Sequence, residues 1–444
     1  MTCGGRGQGT HSMRRNLLHK LKSPLLIVVV ALLLRLGLLA YGQTYRISTA
    51  NDHWRFGAEI GRIARSISQG HGFSSPYWAP TGPTAQQPPV YPYLLAGSFK
   101  FFGVFTPGAA FAMLSLNSLF SALTCVFLLL IGRRAFGETV GTLAAWAWVF
   151  WPSAALIPIT RLWHESLAAL LLAVLFWMTL RLEESRSIHN WLIFGVLWGV
   201  AALTNPVVLS AMPFLLGWVC YRRRKRRFRW ARPLALTLAA TAIVMLPWLV
   251  RNYVVFHKPV FVSDDLAMNL HLGNHSGATG AHTEGVQPAE NVGEWKQYQR
   301  LGELAYMAAK RRQALSFIAS HPGGYAWLCL QRFGELWIWT GTFRPFGSVF
   351  PALIWQAFYL ALPLLALAGL ALAFRDRVAA AWPVAFTVFT FLGTYVVIEY
   401  SSPRYRHPVE PELVLLGAFA VTVLWRRVRG RISSPVAHAE QRAI

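Results

Sequence analysis

The chain has 444 residues, 55% of them hydrophobic and only 14% charged. A soluble domain of that size needs more charged surface, whereas several long apolar runs fit a helical protein that crosses the bilayer repeatedly. The formal net charge of +24 resembles a nucleic-acid signature, but the basic residues cluster at the ends of hydrophobic runs, so they mark membrane topology and no nucleic-acid partner is expected. Cys3, Cys125, Cys220 and Cys329 are scattered, with neither metal-ligand spacing nor a disulfide framework.

In chain order, residues 1–23 are polar and basic and read as a cytoplasmic N-terminal tail. The following apolar run resembles a signal peptide, but it continues to Ala40 without a small-x-small cleavage site, which favours an uncleaved first span. Further spans are expected at 108–132, 138–158, 165–182, 190–204, 206–221, 233–250, 349–373, 378–398 and 411–425, ten in all. The fold class is thus an all-α polytopic membrane protein. Its expected parts are a transmembrane core over 24–250, a long outer loop over 251–348, C-terminal transmembrane helices over 349–431 and a cytoplasmic tail over 432–444. With the N-terminus inside, the basic clusters at 133–134, 181–186, 222–232, 375–377 and 426–431 all fall on one side. The expected site is a bacterial inner or plasma membrane, with the chemistry on the non-cytoplasmic face.

The first outer loop, 43–107, is the richest in signal. Asp52, Arg55, Glu59 and Arg62 recur at helical spacing, and Phe56, Ile60, Ile63 and Ile67 recur on another face. Asn51 or Asp52 can cap this helix and Gly70 can end it. An apolar stripe beside a charged one predicts a helix lying at the membrane surface. The segment from Pro80 to Pro92 holds too many prolines for helix and should fold back as a shaped loop. In the long outer loop a helix is predicted over 298–320, ended by His321-Pro322, and an aromatic stretch through Trp327, Phe333, Trp337 and Trp339 leads back to the membrane.

Topology places chemistry-bearing residues on one face. Glu165 opens a span on the side that carries Asp52 and Glu59, and Arg251 closes another span there. Arg404, Arg406 and His407 sit in the last outer loop, 399–410. A phosphate-linked lipid substrate needs such a set. A carboxylate acts as general base on an acceptor hydroxyl, and guanidiniums neutralise the departing phosphate. Each residue also has a plain structural use. Asp52 is a favoured cap, Glu59 and Arg62 can pair on a helix face, Glu165 suits a helix start, and Arg251, Arg404 and Arg406 can anchor at head groups. Arg35 lies mid-span, where a charge costs at least ~2.5 kcal/mol, so it should face the bundle interior. The histidines show no metal-ligand spacing, and Asn274-His-Ser276 is discounted as a chance sequon.

Six stretches carry a family resemblance. They run Phe56–Phe73, Gln87-Pro-Pro-Val-Tyr-Pro-Tyr-Leu-Leu95, Trp163-His-Glu165, Pro247-Trp-Leu-Val-Arg-Asn252, Leu272-Gly-Asn274 and Arg404-Tyr-Arg-His-Pro408. In this order they resemble the GT-C class of integral-membrane glycosyltransferases, in the branch of the protein O-mannosyltransferases and the lipid A aminoarabinose transferase. The resemblance covers about residues 25–430. It implies transfer of a sugar from a polyprenyl-phosphate donor to a glycan, lipid or protein acceptor, with inversion. It assigns the catalytic base to Asp52 or Glu59, a second acid to Glu165 and donor phosphate contacts to Arg404 or Arg406, with His407, Arg251 and Arg62 as further phosphate-binding candidates. Two departures stand out. Asp52 lacks an acidic neighbour, and Gln86-Gln87 replaces the Glu-Lys of some relatives. No cofactor is called for, and the second departure argues against a divalent metal while leaving it an alternative. A flippase or transporter of lipid-linked sugars, a lipid-linked polysaccharide ligase or polymerase, and a non-catalytic scaffold are the competing readings. The lack of internal repeats and the rarity of charge within spans count against transport.

Overall fold

The computed structural model describes residues 21–47, 55–338 and 352–440. The chain is an all-α polytopic membrane protein; among the described residues, seven helices are long and apolar enough to cross a bilayer, or eight if one bent pair counts as a span. In chain order the spanning candidates are α1 (Pro24–Gly42), α4 (Pro107–Ala135), the pair α5 (Glu138–Phe150) and α6 (Pro152–Thr160), α7 (Glu165–Leu182), α10 (Ala231–Phe256), α15 (Ala352–Arg375), α16 (Ala381–Ile398) and the first part of α17 (Glu410–Glu440). The apolar runs expected at 190–204 and 206–221 are the shorter α8 (Ile188–Thr204) and, after a 3₁₀ turn Pro206–Ala211, α9 (Met212–Lys225). Between spans lie α2 (Glu59–Ser68), α3 (Val90–Phe102), α11 (Asp265–Gly273), α12 (Val292–Leu301), α13 (Glu303–Ser320) and α14 (Pro322–Trp337). The helix expected over 298–320 is therefore two, parted at Gly302, whose φ is +74°.

The α5–α6 pair shows how one sequence feature is accommodated. Pro152 disfavours helix at the residue before it, and Trp151 is extended at φ −65°, ψ 127°. The chain bends by 44° there. Carbonyls freed by the break need donors, because lipid supplies none. Arg35, fully buried, donates to the carbonyls of Trp148 at 3.2 Å and Ala154 at 3.1 Å, and to Ser121 Oγ at 3.1 Å. Its mid-span charge is thus a structural partner for the kink.

The first outer loop differs from its expectation in two respects. Its helix begins at Glu59, because Gly57 at φ +80° and Ala58 at φ +47° break the helical path before it. Gly57 is needed there, since a Cβ would stand 2.6 Å from the Leu162 carbonyl. Leu162 N–H in turn donates to the Arg55 carbonyl at 2.9 Å. The proposed caps Asn51 and Asp52 lie outside the described residues. Second, α2 is not a surface helix: Glu59, Ile60, Arg62, Ile63 and Ala64 are all buried. Ile60 packs with Phe56, Leu95 and Phe99, while Ile63 packs with Phe73 and Trp248. The amphipathic pattern reports burial in the folded loop instead of a seat in the head groups.

The proline-rich segment does fold back. Ser75 N–H donates to Gly82 at 3.0 Å and Thr84 N–H to Phe73 at 3.2 Å. Two distant side chains then clamp it. Arg251 donates to the Thr84 and Phe73 carbonyls at 2.7 and 2.8 Å. Glu303, opening α13, accepts from the Ala85 N–H at 2.6 Å and from the Thr84 hydroxyl.

Candidate active site

A cavity of about 460 Å³ opens at one end of the helix bundle. Its walls come from α2, the proline loop at Gln86 and Gln87, the turn before α7, the Asn205-Pro206 break, α11 and the segment around Glu399 to Tyr405. Four carboxylates, Glu59, Glu165, Asp265 and Glu399, line it together with the Arg404 guanidinium.

Glu59 is the first residue of α2, and its burial leaves the carboxylate facing the cavity. It is placed in no ion pair within 4 Å among the described residues, and a backbone N–H at its own position lies close to the carboxylate. Burial pushes its pKa above the ordinary carboxylate range, with Arg62 pulling the other way. A carboxylate whose pKa is raised and which faces a cavity is a stronger base than an exposed one.

Glu165 opens α7 and approaches Arg404, with Nε to Oε1 at 3.9 Å. The Arg404 guanidinium lies 3.9 Å from the centre of the Trp163 ring and donates to Tyr405 Oη at 2.9 Å. Tyr405 donates onward to Glu399, and its ring stacks on Tyr395 at 4.3 Å. Burial raises the Glu399 pKa to about 6, against the pull of Arg404 and the Tyr405 hydrogen bond. Arg404 is therefore held by an aromatic face and two acids, with its charge presented to the cavity.

The remaining sequence-derived candidates are placed elsewhere. Arg62 donates to the Pro76 carbonyl at 3.2 Å and stacks on Trp78, next to the cavity but not lining it. Arg251 is committed to the proline loop. Arg406 is fully buried against the Tyr359 ring and bonds Glu410 at 3.1 Å. His407 Nδ1 bonds the other oxygen of Glu410 at 3.0 Å, and Ser153 donates to that oxygen at 2.6 Å. These residues form a closed network away from the cavity. Asp52 lies outside the described residues.

Sequence reasoning missed Asp265, Glu399 and Tyr405. Asp265 accepts from Asn269 at 3.1 Å, and its pKa is raised well above the ordinary range by burial, then by Glu399 and Glu59. One signal was available. The chain has only 18 acidic residues, and Asp264-Asp265 forms an adjacent pair in an outer loop. Among the described residues no group of three or more His, Cys, Asp or Glu side chains is arranged to hold a metal ion.

Comparison with known proteins agrees with the resemblance read from the sequence. Residues 86–250 match the family model described as dolichyl-phosphate-mannose-protein mannosyltransferase. Among solved structures, the archaeal oligosaccharyltransferase AglB from Archaeoglobus fulgidus, in complex with an inhibitory peptide and a dolichol-phosphate, superposes with a TM-score of 0.52 at 14% identity, over 95% of this chain and 52% of that one. ArnT from Cupriavidus metallidurans bound to undecaprenyl phosphate gives a TM-score of 0.50 at 15% identity, over 94% of this chain and 63% of that one. This chain thus spans between half and two thirds of the length of these structures, and the likeness shows a shared fold. No curated protein sequence matches significantly.

Proposed function

We propose that this chain is a glycosyltransferase that moves a sugar from a polyprenyl-phosphate donor to an acceptor hydroxyl in the cavity, with inversion. The observation that carries the reading is a buried carboxylate, Glu59, sharing one cavity with Glu165 and a restrained guanidinium, Arg404. The mannosyltransferase family match over residues 86–250 and the polyprenyl-phosphate-type ligands named for AglB and ArnT support the donor class.

In this reading Glu59 accepts the proton of the acceptor hydroxyl as its oxygen attacks the anomeric carbon. The bond from that carbon to the phosphate oxygen breaks, and the electron pair leaves with the phosphate. Arg404 neutralises the developing charge, and its fixed seat on Trp163 means that little reorganisation is needed. Glu165 orients Arg404 and keeps the local charge balanced before donor arrives. Asp52 remains the other candidate base. Arg62 tunes Glu59 from behind.

The ten-span topology belongs to the same proposal. It counts α8 and α9 as two further crossings and directs the cavity to the non-cytoplasmic face, where the sequence places every dense basic cluster on the opposite side. The acceptor class stays open between glycan, lipid and protein.

The test is purified protein incubated with a panel of polyprenyl-phosphate sugars, following donor consumption. At least one donor should be consumed, and Glu59→Gln should lower that rate by about 10²–10⁴, the usual contribution of a general base. Full activity of the Gln variant would remove Glu59 from the chemistry.

A further inference from the structure

A second opening lies at the basic end of the bundle and shares no lining residue with the carboxylate cavity. It is a groove of about 620 Å³ between α9 and the start of α16. Its floor is aromatic. Phe214 and Phe386 stack with centroids 5.2 Å apart, and Trp382 continues the row 6.0 Å from Phe386. Open space lies over Gly217, where a Cβ would meet no atom within 4 Å. Phe214 and Trp382 stay 41% and 51% exposed, on helices packed into a membrane bundle.

Charge is confined to one end. Arg222 and Lys225 line the groove, and no acidic residue does. Arg222 is already bonded to Glu183 at 2.9 Å. Lys225 is exposed, rests 5.0 Å from the Tyr221 ring and makes no ion pair among the described residues. The first turn of α16 offers no free donor there, since the Ala381, Trp382 and Val384 N–H groups bond the Val378, Ala379 and Ala380 carbonyls and Pro383 has none, so Lys225 is the cation that the groove presents.

We propose that this groove binds one anionic phospholipid, with its phosphodiester at Lys225 and its acyl chain along Phe214 and Phe386. The occupant must be apolar along its length and anionic at one tip. Hydrocarbon alone leaves the ammonium unanswered, and a free phosphate leaves the aromatic floor uncovered. A lipid of the surrounding bilayer meets both demands at once.

The test uses the full-length protein reconstituted in vesicles of equal phosphatidylglycerol and phosphatidylcholine, re-extracted in mild detergent, with retained lipids counted by native mass spectrometry. The wild type should keep phosphatidylglycerol in preference to phosphatidylcholine. Lys225→Gln should lower that retention roughly fivefold, the factor matching ~1 kcal/mol per basic residue near an anionic lipid surface. Gly217→Leu should lower retention by filling the groove, and it favours helix formation, so the protein should still fold. Equal retention of the two lipids would overturn the proposal, as would unchanged retention in both variants or displacement of the lipid by excess inorganic phosphate.

Discussion

Arg404 and Arg406 stand two positions apart in one segment between helices, yet they have opposite occupations. Arg404 lies on the cavity wall with its charge only partly answered, 3.9 Å from Glu165. Arg406 is sealed against Tyr359 and bonded to Glu410, whose second oxygen is taken by His407 and Ser153. The segment is built from the 3₁₀ turns Pro403–Tyr405 and His407–Val409, and residues two apart on such a turn differ by about 240° in direction. An arginine in a loop between spans is therefore weak evidence for a site by itself. What separates the two is whether the counter-charge closes locally or remains open to a cavity.

The contrast breaks most visibly at Arg406. Arg406→Ala removes the guanidinium from a buried Glu410 and leaves it only His407 and Ser153, and losing one partner of a buried pair costs about 3–5 kcal/mol. We expect a large fall in Tm and in yield of monodisperse protein. Arg404→Ala should leave Tm near the wild-type value and lower donor turnover by about 10²–10³, the scale of one preorganised charge-stabilising donor. Normal stability with impaired donor kinetics in the Arg406 variant, or unimpaired donor kinetics in the Arg404 variant, would reverse the assignment of the two residues.

A finer test concerns Glu59. The base works only when deprotonated, and burial raises its pKa, so the acid limb of the rate–pH profile should lie above the ordinary glutamate value of ~4.3. Arg62 favours the carboxylate. Arg62→Met should therefore move that limb to still higher pH, and a limb that stays in place would show that another group sets it.

How much of this was legible in the sequence depends on the reach of each contact. Spans such as 108–132 and 165–182 follow from apolar run length alone, and α4 and α7 match them closely. The bend at Trp151 had a local signal in Pro152, yet the donor that stabilises it, Arg35, comes from another span. The start of α2 was misplaced because Gly57 adopts its positive φ to fit under Leu162, a neighbour more than a hundred positions away. Glu59 and Glu165 could be put on one face by counting spans. Asp265, Glu399 and Tyr405 could not be joined to them, because a cavity is a property of packing and has no period in the sequence.

The smallest expected effect tests a third kind of charged cluster, in which acid meets acid. The carboxylate oxygens of Asp264 are buried, and Glu303 is its neighbour. Glu303 already accepts from Thr84, Ala85 and Tyr298, so the retained proton belongs on Asp264. Burial, then the Glu303 charge, raises the Asp264 pKa well above its ordinary value. A folded-state pKa above the unfolded one means that stability is fully present at low pH and falls as pH rises through the folded value. Asp264→Asn replaces the titrating proton with a permanent N–H donor toward Glu303. Its Tm should exceed the wild type at alkaline pH, and the difference should shrink on acidification through the wild-type transition. Parallel Tm–pH curves for the two proteins would show that Asp264 keeps no proton in the folded state, and that the clamp on the proline loop rests on Glu303 and Arg251 alone.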